Sequence, residues 1–195
     1  MAGKVPSPGS GQVVLGIDPG LARMGYGAVV QRGHQMKAGT YGTLTTPAGG
    51  TLESRLVLLF GRLQELLGKV KPQAVAMEEL FFSKNVKTAL AVGQARGVAL
   101  LACGLAKVPV FEYRPMEVKQ AVAGYGGADK AQVQRMVKIL LGLQEVPKPD
   151  DTADALAIAI AHAQSSGTAL SQAVKRMSRD KNLSPALWKG SGKVQ

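Results

Sequence analysis

The chain has 195 residues and a formal net charge of +11, from 24 Lys plus Arg against 13 Asp plus Glu. Its single cysteine, Cys103, excludes an internal disulfide framework and a cysteine-based zinc cluster, and no apolar run reaches the ~18 residues a membrane helix needs. At roughly 150 residues per domain the length predicts one domain with a real core plus a remainder, and the basic excess predicts a polyanionic partner, nucleic acid by default.

Residues 1–11 are rich in Gly, Pro and Ser and read as a flexible arm without the apolar core of a signal peptide, so a reducing, cytoplasmic setting is expected. Val13 to Ile17 is a short apolar run that ends at Asp18-Pro19-Gly20, a strand followed by a turn. Two more strands are predicted over 25–30 and 37–45. The period then changes: Leu52, Leu56, Leu59, Leu63, Leu66 and Val70 mark one face of a helix with Thr51 as its cap and Pro72 beyond its end. A buried strand over 74–77 reaches Glu78-Glu79, and a helix over 85–105 and a strand over 108–113 follow. Cys103 lies in the apolar run of that helix and reads as a buried thiol. Helices are predicted over 115–123, 130–141 and 151–163. Five strands and these helices in this order predict an α/β fold, a mixed sheet covered on its faces. The folded domain of the chain is therefore expected over 12–165; residues 166–195 read as a basic tail, disordered or folding on a partner.

The acids are few enough to place singly. Glu53, Glu65, Glu112, Glu117, Asp129, Glu145 and Asp180 stand in polar or amphipathic surroundings and read as ordinary surface charge. Asp18 and Glu78 each stand at the end of an apolar strand, and neighbouring strands would project both from one sheet edge. Asp151 and Asp154, three apart, share one face of a helix that is otherwise apolar all round. Carboxylates gathered beside buried elements repel one another unless a cation answers them. A hard divalent ion such as Mg²⁺ resolves this, and two ions about 3.5–4 Å apart suit phosphoryl transfer. Each acid also has a plainer reading: a turn initiator for Asp18, a loop charge for Glu78, and an N-cap and first-turn acid for Asp150 or Asp151 and Asp154.

Gly16-Ile17-Asp18-Pro19-Gly20 with Gly25-Tyr26-Gly27, then Met77-Glu78-Glu79 with Phe81-Phe82, Gly93-Gln94-Ala95-Arg96-Gly97, Val118-Lys119-Gln120, Lys130 with Gln132-Val133-Gln134, and Asp151-Thr152-Ala153-Asp154 resemble, in order, the RuvC family of Holliday-junction resolvases. The resemblance covers about residues 12–165. It implies an RNase H-like fold, a homodimer that nicks two opposed strands of a four-way DNA junction symmetrically with Mg²⁺ or Mn²⁺, and work beside the branch-migration motor RuvA–RuvB. It carries the metal-binding roles onto Asp18, Glu78, Asp151 and Asp154, with Glu78 rather than Glu79 as the family's glutamate. Phosphate or scissile-region contacts fall on Lys119 and Lys130.

Phe81 and Phe82 directly follow a proposed ligand and suit stacking on bases of an opened junction, with Phe81 favoured; packing of the next helix is the alternative. Lys84, Lys87, Arg114, Lys119 and Lys130 are candidates for DNA contacts. The Ala- and Gly-rich helix over 85–105 is either a dimer face or a core helix. His162, two turns beyond Asp154, reads as a buried structural histidine. Two other functions remain in view from these residues: a junction- or duplex-binding module without catalysis, and nucleotide hydrolysis of the actin-like kind, which needs a second domain the length does not provide.

Overall fold

The structure is a computed structural model that describes the backbone of residues 11–79 and 86–179 and the side chains of 11–79 and 89–165. Five strands form one mixed sheet: β1 (Gln12–Asp18), β2 (Arg23–Arg32), β3 (Gln35–Thr45), β4 (Ala74–Glu78) and β5 (Val110–Tyr113), in the order β3-β2-β1-β4-β5. The first three form an antiparallel meander, and β4 and β5 add parallel to β1. The parallel joins need crossovers, which are supplied by α1 (Leu52–Val70) before β4 and α2 (Val86–Leu105) before β5.

Strand alternation sorts the core into two halves. Leu15, Ile17, Val75 and Met77 face α1 and α2, where they meet Leu59, Leu63, Ala95, Ala99 and Cys103. Burial pushes the Cys103 thiol up to about 12, so it is an inert packing group. Val14, Val29 and Ala76 face the other side, where α3 (Pro115–Ala123), α4 (Lys130–Leu141) and α5 (Asp150–Arg179) lie. α5 is the central helix of that layer; its segment Ala155 to Ala161 is buried on every side, as its uninterrupted apolar sequence requires.

The helix ends follow local chemistry. Thr51 caps α1 by accepting from the Ser54 N–H at 3.4 Å, and Lys71 closes it in the left-handed region at φ 48°. Asp129 caps α4 by accepting from the Gln132 N–H at 2.7 Å, which makes Lys130 the first helical residue. α5 departs from expectation: it passes Ser165-Ser166-Gly167 and continues to Arg179. One interior glycine costs about 1 kcal/mol and does not by itself stop a helix.

α5 lies unusually close to the sheet because three strand positions facing it, Gly16, Gly25 and Gly27, have no side chain. A Cβ on Gly16 would stand 1.9 Å from the carbonyl oxygen of Ala155, and one on Gly25 would stand 2.0 Å from that of Asp151. Gly25 is paired with Asp18 across the β1–β2 ladder. The close approach therefore brings the first turns of α5 to the end of β1.

Candidate active site

Asp18 ends β1 and Glu78 ends β4, and the two strands are parallel neighbours with Ile17 opposite Met77. Asp18 shares its face with Val14 and Gly16, and Glu78 shares its face with Ala76, two residues earlier in each strand or four in the case of Val14. Both carboxylates thus project on the α5 side of one sheet edge. Asp151 and Asp154 come to the same place from the first turns of α5.

The cluster is electrostatically strained. Burial pushes the Asp18 carboxyl up to about 7, and the charges of Asp154, Glu78 and Asp151 push in the same direction, against Lys130. Glu78 is raised by burial and by Asp154, with Lys119 and Lys130 pulling back. Asp154 is raised by burial and lowered by contact with Lys130. Lys130 Nζ lies 2.9 Å from Asp154 Oδ2 and 3.5 Å from Asp150, and contact with Asp154 raises its own pKa. Arg23, at the start of β2, pairs with Asp151 at 3.3 Å. The four oxygen-bearing side chains, few cations among them and a mutual repulsion that a divalent ion would relieve, suit a hard metal. Among the described residues no three acidic, His or Cys side chains are drawn in tightly enough to hold an ion as they stand; Asp154 and Asp151 pair with Lys130 and Arg23 instead.

A pH dependence follows. Asp18 holds its proton up to about pH 7 in the fold, against 3.8 for an ordinary aspartate, so protonation favours the folded state. That stability is complete below the unfolded value and lost as pH rises through 7; Glu78 and Asp154 have the same sign. His162, lowered to about 4 by burial, acts oppositely, chiefly below its ordinary 6.5, and offsets part of the loss just above it. In metal-free buffer the melting temperature should fall by about 1–2 °C between pH 6.5 and 8. A scan in EDTA checks this, and a flat or rising curve would contradict it.

The other residues singled out by sequence fall as follows. Lys119 lies on α3, close enough to Glu78 to act on its charge. Arg114 precedes α3, is mostly exposed, and pairs with Glu79 at 3.2 Å. Phe81, Phe82 and Lys84 lie outside the described residues, and of Lys87 only the backbone is described, in the first turn of α2. His162 is fully buried; its Nδ1 lies 2.7 Å from the Tyr113 hydroxyl, and its ring packs 4.4 Å from that of Phe111. It belongs to the α5–β5 contact, as a structural histidine should.

Glu112, expected to be surface charge, is exposed, but it also has a partner that the sequence does not show. Its carboxylate pairs with Arg96 of α2, whose side chain is 7% exposed, and Arg96 also donates to the Glu78 carbonyl oxygen at 2.8 Å. Sequence alone hides this, because Arg96 reaches across from another element. The only signal is an arginine between Ala95 and Gly97 on a helix whose one other charge is Lys87.

A family model described as crossover junction endodeoxyribonuclease RuvC matches residues 14–162. Proteins of that name from Chloroflexus aggregans are 58% identical over 154 residues, covering 79% of this chain and 94% of the relative. The one from Rubrobacter xylanophilus is 58% identical over 152 residues, covering 78% and 85%. Among solved structures, Thermus thermophilus RuvC in complex with a Holliday junction substrate superposes with a TM-score of 0.74 at 42% identity, covering 78% of this chain and 93% of that one. The yeast mitochondrial Holliday junction resolvase, at TM-score 0.61 and 16% identity over 89% of this chain and 87% of its own, shares the fold. The family match opens in β1 and closes in α5, so it takes in every element that brings a carboxylate to the sheet edge, and the chain belongs to the RuvC family of crossover junction endodeoxyribonucleases.

Proposed function

We propose that the protein is a metal-dependent endonuclease that resolves four-way DNA junctions by paired, symmetric nicks, serving recombination and repair in the cytoplasm. The observation that carries this is the convergence of Asp18, Glu78, Asp151 and Asp154 on one sheet edge, with Lys130 and Lys119 beside them, in a chain of net charge +11. The Thermus thermophilus relative described above holds a Holliday junction substrate, which supports the choice of DNA.

The four carboxylates would hold two Mg²⁺ or Mn²⁺ ions, which when bound supply Lewis-acid polarisation of the phosphodiester and a more acidic water. Asp18 and Glu78, fixed on strand ends, are the anchors; Asp151 and Asp154 complete the set from α5. Lys130 stands at the start of α4 with its ammonium among these acids and would stabilise charge gathering on the phosphate, with Lys119 assisting from α3. The products would carry 5′-phosphate and 3′-hydroxyl ends. Phe81 and Phe82 are proposed to stack on junction bases, and Lys84, Lys87 and Arg114 to contact DNA phosphates.

Two nicks related by the junction's symmetry call for two sites related by a two-fold axis, hence a homodimer. α2 supports this: Leu90, Leu101 and Leu105 are exposed, and Gly93, Gly97 and Gly104 between them have open space where a Cβ would stand. Such a stripe lets a second copy of the helix approach closely. A branch-migration motor of the RuvA–RuvB kind is the proposed cellular partner. Among the described residues no helix is long and apolar enough to cross a membrane.

A labelled four-way junction and a matched linear duplex, each with and without Mg²⁺, test the reading. Paired nicks at symmetric positions in the junction alone, dependent on the metal, are expected. Tight junction binding with no cutting in Mg²⁺ or Mn²⁺ would make the protein a binding module instead.

A further inference from the structure

The β1–β4 ladder stops at Ile17 and Met77, one residue short of Asp18 and Glu78. On its other side, β4 stays paired through Glu78 with Tyr113, and the Glu79 N–H donates to the Tyr113 carbonyl at 2.8 Å. Glu78 is therefore tied on the β5 side and has left the ladder on the β1 side, where the carboxylates gather. Arg96 fills that gap. Its Nη1 donates to the Glu78 carbonyl at 2.8 Å, and its Nη2 pairs with Glu112, which stands opposite Met77 on β5. The fully buried Ala95 and Ala99 seat that stretch of α2 against the sheet.

We infer that Arg96 is a positioning residue for the site: a buried guanidinium bridging Glu78 and Glu112 that fixes the direction in which Glu78 presents its carboxylate. This rests on the proposed role of Glu78 as a metal ligand. Arginine suits the task because its planar fork can serve a carbonyl and a carboxylate at once and cannot lose its proton. Glu112, about half exposed, offsets the charge. Arg96 also helps line a cavity of about 190 Å³ walled by Asp18, Pro19, Glu78, Glu79, Val92 and Pro115, so it stands at the rear of the same carboxylate edge that Lys130 meets through Asp154. A lysine there has the charge but a single nitrogen, and cannot reproduce the fixed planar spacing by which Nη1 and Nη2 reach the two partners.

Partners that orient a metal ligand typically change metal affinity by about 10–100-fold when removed. In calorimetric titration of the DNA-free protein with Ca²⁺, Arg96→Lys should weaken binding about tenfold, while junction affinity in EDTA stays at the parent value. In Mg²⁺ the loss should appear in kcat and not in KM. Glu112→Gln, which keeps the Arg96–Glu78 contact, should melt lower yet bind Ca²⁺ within about twofold of the parent, since only its charge is removed. If Arg96→Lys fails to fold, Arg96→Met/Glu112→Leu, which leaves no orphaned charge, must show the same loss of Ca²⁺ affinity. Ca²⁺ binding by a folded Arg96 variant equal to the parent, or a loss shared by Glu112→Gln in step with its melting temperature, overturns the inference. Glu78→Gln separates the two ideas: if it binds Ca²⁺ like the parent, the metal role of Glu78 falls; if it does not while Arg96→Lys does, only the positioning role falls.

Discussion

Asp18→Asn should bind a four-way junction as the parent chain does and cut it about a thousandfold more slowly, roughly 4 kcal/mol on the barrier. Asn keeps the shape of the side chain and its place at the end of β1, so the DNA surface is undisturbed. What it removes is the charge on which the other three acids act: Asp154, Glu78 and Asp151 all push on Asp18. A divalent ion is attracted by that concentrated charge, and a neutral amide at its centre is a far weaker ligand. The same change relieves the repulsion, so the metal-free variant should melt higher than the parent at pH 8 and show a shallower downward slope with pH. Single-turnover cleavage, gel-shift binding in EDTA and melting curves check the three parts. Cutting within tenfold of the parent would remove Asp18 from the mechanism.

Local chemistry made much of the fold legible. Thr51 and Pro72 bracket α1, and the helix expected over 130–141 is α4, whose capping by Asp129 and Gly142 the structure adds. The strand ends at Asp18 and Glu78 could be read because an apolar run broke at a charge. Their adjacency could not, since it depends on β4 choosing β1 as its neighbour, a choice made by the crossover through α1. The pairing of Arg96 with Glu112 escaped for a related reason: it joins two elements, and exists only when α2 lies on β5. Gly25 carried a signal whose cause was out of sight. It belongs to the family-like Gly-Tyr-Gly stretch, but the reason for a missing side chain is the carbonyl of Asp151, far along the chain. Serine and glycine at 165–167 were read as a break because propensity weighs against them, whereas the backbone of α5 continues through.

That dependence on an absent side chain sets up the largest expected structural effect. Gly25→Ala puts a Cβ 2.0 Å from the Asp151 carbonyl oxygen and 2.5 Å from its carbon, both backbone atoms that no rotamer change can move. α5 must retreat from the sheet, and its first turns carry Asp151 and Asp154. The retreat also loosens the apolar contacts of the buried Ala153, Leu156 and Ile160 further along the helix. Overpacking that only backbone movement can relieve should cost at least about 3 kcal/mol, a fall of roughly 6–12 °C in melting temperature for a chain of this size. Gly61→Ala is the matched control: it lies inside α1 with nothing within 4 Å of the added methyl, and should stabilise by about 0.5–1 kcal/mol through helix propensity. The position of the damage separates this effect from general destabilisation. At a temperature where Gly25→Ala remains folded by circular dichroism, its Ca²⁺ affinity should fall by about tenfold or more, because two of the four acids have moved away from the other two. A Gly25→Ala protein that melts with the parent and binds Ca²⁺ as tightly would show that α5 does not need this close approach to bring its acids to Asp18.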